Sequence, residues 1–211
     1  MSKKLIFFGD SITDANRYYA ADYVLSSYGS GYVRAIAGKL LLTDPEAYQI
    51  LNRGINAHKT VDLYARIKQD VWNESPDVLT ILVGINDLAF DIKLNKGIEK
   101  DRYRKVYRSI VEETLERLPN VRLIFLEPFM LRGKETAEYY EQFLSIRDYA
   151  KIVKELAEEF GADFIPLQED FERLAEKYGA ETVLSDGVHP TLFGAEKIAE
   201  KWLKVYLGQE S

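Results

Sequence analysis

Five short apolar runs punctuate the chain: KLIFFG (4–9), YQILN (48–52), VLTILVG (78–84), VRLIFLEP (121–128) and ADFIPL (162–167). Most are apolar at consecutive positions rather than alternate ones, the pattern of strands covered on both faces. Between them, apolar residues recur at steps of three and four. Tyr103, Val106, Tyr107, Ile110, Val111, Thr114, Leu115 and Leu118 form one stripe of a helix. Tyr64, Ile67 and Val71 mark a shorter helix, and Ile198, Trp202, Val205 and Tyr206 mark the last one. Further helices are predicted over 31–42, 137–160 and 169–178.

Alternating strands and helices imply right-handed crossovers and a parallel sheet with helices on both faces. In such sheets ligands sit beyond the carboxyl ends of the strands, so the residues just after each run carry the functional question. They are Gly9-Asp10-Ser11, Asn52-Arg53-Gly54 and Gly84-Ile85-Asn86-Asp87, with Asp186-Gly187-Val188-His189-Pro190 after the fifth run and one more helix.

Length suits one domain over 1–211, with no internal repeat, low-complexity stretch or Pro/Ser-rich linker. The absence of cysteine removes disulfides, thiolate metal sites and cysteine nucleophiles. The formal charge of −6, with lysines and glutamates interleaved along helices, argues against a nucleic-acid partner. The apolar run near the start is too short for a signal-peptide core, and no run approaches bilayer-spanning length. The expectation is a cytoplasmic protein with no membrane partner.

Acyl transfer gives the polar turns a common purpose. A serine hydroxyl needs a base within hydrogen-bond reach, and histidine is the usual one. The imidazole needs a carboxylate to hold its tautomer, and the tetrahedral oxyanion needs preorganised donors, worth roughly 3–4 kcal/mol each. The chain has two histidines, His58 and His189. His189 has Asp186 three residues upstream in a turn closed by Pro190, so one loop can bring carboxylate and imidazole together. Ser11 follows a strand and a glycine, Gly54 can offer a bare N–H, and the Asn86 amide a further donor. His58 lacks a carboxylate at close spacing, with Asp62 four residues on, and reads as a rim or surface residue. Asp10 and Asp87 read as structural turn residues, Trp72 and Trp202 as core.

These residues, in this order, resemble the four signature blocks of the SGNH (GDSL-type) hydrolases, and the resemblance runs from near the first residue to near the last. GDSITD, RGINAHKTVDL and VGINDL are similar to the branch that includes intracellular acetyl xylan esterases and related carbohydrate deacetylases. The second block in many relatives carries a further glycine three residues after the first; here that position is Ala57. The resemblance implies a three-layer α/β/α sandwich, flavodoxin-like, with a five-stranded parallel sheet. It implies Ser11 as nucleophile, His189 as base and Asp186 as its orienting carboxylate. The oxyanion hole would be built from Ser11 N–H, Gly54 N–H and Asn86, with no metal or organic cofactor. The expected function is hydrolysis of short acyl esters, acetyl above all, on a small-molecule or oligosaccharide substrate such as xylo-oligosaccharides.

Two other readings remain open at this point. One keeps the triad for a lysophospholipase, thioesterase or arylesterase, against which stands the lack of a long apolar lid segment. The other is a non-catalytic ligand-binding α/β domain, which has no need of Asp186 and His189 together. Three aromatic-rich loops, 16–32, 88–98 and 129–143, follow strand ends and are expected to wall the pocket, stacking on sugar or packing on a second subunit of a homo-oligomer.

Overall fold

The computed structural model describes residues 2–208; positions 1 and 209–211 of the expected domain lie outside the described residues. The five apolar runs become strands β1 (Lys3–Gly9), β2 (Tyr48–Gly54), β3 (Val78–Leu82), β4 (Arg122–Leu126) and β5 (Asp163–Ile165). They form one sheet in the order β2-β1-β3-β4-β5 with every neighbouring pair parallel. The α-helices are α1 (Ser11–Asp14), α2 (Tyr32–Thr43), α3 (Thr60–Ile67), α4 (Ile85–Leu94), α5 (Lys100–Arg117), α6 (Tyr140–Phe143), α7 (Ile146–Phe160), α8 (Gln168–Tyr178), α9 (Ala180–Val183) and α10 (Leu192–Leu207), with a π-helical turn Lys68–Trp72 continuing α3. α2 packs on α10, while α3 packs on α5 and α5 on α7. These are the two helical layers of the expected α/β/α sandwich. No helix among the described residues is long and apolar enough to cross a membrane.

The chain winds from β1 outward to β2, then returns across β1 to build β3, β4 and β5. The order reverses between β1 and β3, and at that switch point the loops after the two strands splay apart and leave a crevice. Ser11 follows β1 and Asn86 follows β3, so the topology sets both at the crevice.

The core explains why the strands are apolar throughout: Leu5, Ile6, Phe7 and Phe8 on β1 are all buried, as is every residue of β3. Trp202 of α10 lies fully buried against Phe7, ring centroids 5.2 Å apart, and its indole N–H donates to Thr80 Oγ1 at 3.0 Å. That bond satisfies a polar pair that burial would otherwise penalise.

Several expectations shift. β2 runs on through Asn52 and Arg53 to Gly54, because these polar residues pair in register with Phe7, Phe8 and Gly9. β3 stops at Leu82, before Gly84 turns the chain at φ 141°. The helix expected over 137–160 is two, α6 and α7. At the break the Ser145 hydroxyl and N–H both bond Gln142 O, at 2.6 and 3.1 Å, an alternative partner that competes with helix continuation. On α3 the buried residues are Thr60, Leu63 and Ile67, and Tyr64 is exposed. Trp72 is half-buried rather than core, with Arg117 stacked on its ring at 4.0 Å.

Candidate active site

Buried Phe7 and Phe8 lock β1 into the core up to Gly9, and Asp10 then starts a new element. Its Oδ1 accepts the Ile12 N–H at 2.9 Å, capping the single-turn helix α1. Ser11 is therefore the first residue of a helix rising from the carboxyl end of a central strand. Its Oγ lies 3.0 Å from His189 Nε2. His189 Nδ1 lies 2.7 Å from Asp186 Oδ2, while Asp186 Oδ1 accepts the N–H groups of Val188 at 2.9 Å and His189 at 2.8 Å.

These bonds settle the proton positions. An ionised carboxylate only accepts, so His189 carries its proton on Nδ1 and turns the Nε2 lone pair toward the Ser11 hydroxyl. Burial alone would raise the Asp186 pKa, but the bonds from the His189 N–H, the His189 ring and the Val188 N–H outweigh it and hold the carboxyl below its ordinary range. Behind this turn, Glu135 N–H donates to Asp186 O at 2.8 Å and Leu131 N–H to Gly187 O at 2.9 Å, so the loop after β4 braces it. The one trace of this brace in the sequence is the glycine at 133, where a Cβ would overlap the Asp186–Gly187 backbone.

The expected oxyanion donors need one correction. The Gly54 N–H is not free: it donates to Asn52 Oδ1 at 2.8 Å. Gly54 serves close packing instead, since a Cβ there would overlap the backbone of Thr13 and Asp14. The buried Asn52 stitches the same region, its Nδ2 donating to Thr13 O at 2.7 Å and Tyr28 O at 2.9 Å. Among the described residues no acceptor takes the N–H of Ser11 or of Ala57. Ala57 is exposed on the turn after β2, with a positive φ of 64°. Asn86 Nδ2 donates to His58 O at 3.1 Å, which commits one amide hydrogen and leaves the second.

His58 is not a rival base. Arg66 Nε donates to its Nδ1 at 3.1 Å. An arginine has no lone pair to offer, so the ring proton sits on Nε2. Burial first, and the Arg66 charge second, hold the His58 pKa below its ordinary value. Arg66 is a residue that the sequence reading passed over. Besides His58 and Asp70, it binds Gly9 O at 3.0 Å and Arg53 O at 2.8 Å, tying the ends of β1 and β2 to the turn that carries Ala57.

Beneath the site lie two buried carboxyls. Asp87 accepts from the Thr60 N–H and hydroxyl, and burial pushes it up to about 7. Asp10 is likewise pushed up to about 7 by burial, and among the described residues its Oδ2 has no partner. Both fit the structural roles expected of them.

A cavity of about 430 Å³ opens on Ser11 and His189, lined also by Asp14, Asn16, Asn56 and Ser185. Of the three aromatic-rich loops, 16–32 reaches this lining, through Asn16, Ser30, Gly31 and Tyr32. The other two do not: 88–94 continues α4, and 129–143 holds the brace behind Asp186. Among the described residues no group of three or more His, Asp or Glu side chains is placed to hold a metal ion.

Comparison with known proteins follows the same lines. Residues 7–197 match the GDSL-like Lipase/Acylhydrolase family. The acetylxylan esterase of Geobacillus stearothermophilus is 31% identical over 208 residues, covering 96% of this chain and 93% of that protein. Its crystal structure superposes with a TM-score of 0.86. Catalytic mutants of that enzyme replace a serine, an aspartate and a histidine with alanine, the last two lying three residues apart. A Parabacteroides merdae structure described as a GDSL-like lipase superposes with a TM-score of 0.88 at 34% identity, covering 97% of this chain and 96% of that one.

Proposed function

The chain belongs to the GDSL-like lipase/acylhydrolase family and is a carboxylic ester hydrolase, and from that premise we propose that it removes acetyl or other short acyl groups from carbohydrate, acetylated xylo-oligosaccharides first among them. The observation that carries the mechanism is the unbroken relay from Ser11 Oγ through His189 to Asp186. The aspartate and histidine share the three-residue spacing of the catalytic pair in the Geobacillus enzyme.

In this reading Ser11 Oγ attacks the ester carbonyl as its proton passes to His189 Nε2, and Asp186 stabilises the imidazolium. The oxyanion is received by the N–H groups of Ser11 and Ala57 and by Asn86 Nδ2; Ala57 takes the place expected of Gly54. His189 returns the proton to the departing sugar oxygen, leaving an acyl-enzyme. A water, deprotonated by His189, then adds to the acyl carbon, and the Ser11 oxygen leaves with the proton. The carbohydrate preference is supported by the cavity lining, where Asn16, Ser30, Asn56 and Ser185 can meet sugar hydroxyls. A long alkyl chain would leave those groups unpaired.

The test is hydrolysis of p-nitrophenyl acetate and of acetylated xylo-oligosaccharides by the wild type and by Ser11→Ala. Turnover of both by the wild type and of neither by the variant is expected. Equal rates from the two proteins would remove the mechanism, and rates rising steeply from acetyl to octanoyl esters would favour a lipid or thioester substrate.

A further inference from the structure

One exposed tyrosine is held more firmly than its exposure requires. Tyr19 is 56% exposed, yet its hydroxyl donates to Asp14 Oδ2, and the Arg17 guanidinium lies over its ring, 4.0 Å from the centroid. Both anchors are themselves fixed. Asp14 is buried; its Oδ2 also accepts the Asn56 N–H at 3.0 Å and its Oδ1 the Arg17 N–H at 3.0 Å. Arg17 is only 9% exposed, and its Nε donates to Gly54 O at 2.8 Å. The nearby Tyr18 and Tyr23 are exposed to a similar degree, but among the described residues neither hydroxyl has a partner.

Tyr19 is thus pinned at its hydroxyl and backed by a guanidinium, and it stays more than half exposed. Its position matters as much. Asp14 and Asn56 line the cavity that holds Ser11, whereas Tyr19 walls a second cavity of about 590 Å³ together with Arg17, Arg53 and Ile55. The Asp14–Tyr19 hydrogen bond links the two. The two cavities are therefore neighbours, the first holding Ser11 and the second walled by Tyr19.

A pyranose presents a flat face of C–H groups, which packs on an aromatic face. A ring already ordered in its binding orientation loses little conformational freedom when it is covered. We propose that Tyr19 is a stacking platform for a neighbouring sugar ring of an oligosaccharide ester. The inference rests on the carbohydrate-ester reading above and adds to it a second binding site, for a sugar unit that carries no reacting group.

The experiment compares wild type, Tyr19→Ala and Tyr19→Trp on acetylated xylotetraose and on p-nitrophenyl acetate, which has no sugar. The expected result is selective: Tyr19→Ala raises KM for the oligosaccharide by about three- to tenfold, the size of one aromatic stacking contact. The preference for the oligosaccharide over p-nitrophenyl acetate falls by the same factor, while Tyr19→Trp, which keeps a ring, retains most of it. A proportional loss on both substrates would assign Tyr19 a structural role and overturn the platform. So would an unchanged preference in Tyr19→Ala while the wild type cleaves the oligosaccharide, and that result would leave the carbohydrate reading standing. A wild type that cleaves p-nitrophenyl acetate but not the oligosaccharide overturns both.

Discussion

The hydroxyl of Ser11 hydrogen-bonds an imidazole whose other nitrogen is already committed to a carboxylate, so the location of the ring proton follows from counting donors and acceptors. The same counting removes Gly54 from the oxyanion donors, since one N–H cannot serve Asn52 and an oxyanion together. Asp10, next to Ser11, is a residue of the opposite kind: fully buried, with one oxygen capping α1 and the other unpartnered among the described residues. Burial holds its carboxyl protonated up to about 7, against an ordinary value of 3.8. Across that window the unfolded chain gives up the proton and the folded one keeps it, so this group erodes stability as pH rises and levels off above it. Asp10→Asn keeps a capping oxygen and removes the titration. Its stability relative to wild type is expected to increase steadily from about pH 4 to pH 7 and then stay flat. Urea unfolding at a series of pH values measures this; a difference constant or shrinking over that range would contradict it.

At the scale of elements, the site is a junction of strand ends, and Arg66 on α3 is the main tie between them. One guanidinium holds Gly9 O at the end of β1, Arg53 O near the end of β2 and the His58 ring on the turn beyond. Asn86 joins the same turn through His58 O. Removing the guanidinium takes one donor from Gly9 O, which keeps the Ile55 N–H, and one from Arg53 O. Arg66→Gln is expected to lower stability, to reduce kcat more than it changes KM, and to raise the His58 pKa, because a depressing charge is gone. Proton NMR titration reads the last effect directly, since the chain has two histidines to assign. A His58 pKa that does not move would show that Arg66 neither holds nor depresses that ring. Periodicity made most of these elements legible: the five apolar runs are the five strands in order. It misplaced boundaries where local polar groups or strand pairing decide them, as Ser145 does between α6 and α7 and the pairing of Asn52, Arg53 and Gly54 with β1 does at the end of β2.

For the whole molecule, the sheet order carries the functional argument. The reversal between β1 and β3 is where the polar turns of widely separated segments meet, which is why motifs near residues 11, 86 and 189 lie at one end of the sheet. The fold and the relay of Ser11, His189 and Asp186 were legible in the sequence because each needs a residue type at a set place after a strand or helix. The donors around the oxyanion were only partly legible. Whether a backbone N–H is free depends on its neighbours' side chains, and Asn52 beside Gly54 gives no such sign in the sequence. Arg66 was illegible for a related reason, since its partners lie across the fold, and for Tyr19 the sequence marked the loop 16–32 but not the residue within it, because nothing in the pattern shows which tyrosine is anchored. The most direct measurement of the central claim is intact-mass and fragment analysis after treatment with a fluorophosphonate at neutral pH. One adduct on Ser11 is expected, absent in Ser11→Ala and much slower to form in His189→Ala. Esterase activity that survives complete modification of Ser11, or an adduct formed at another residue in its place, would contradict the account.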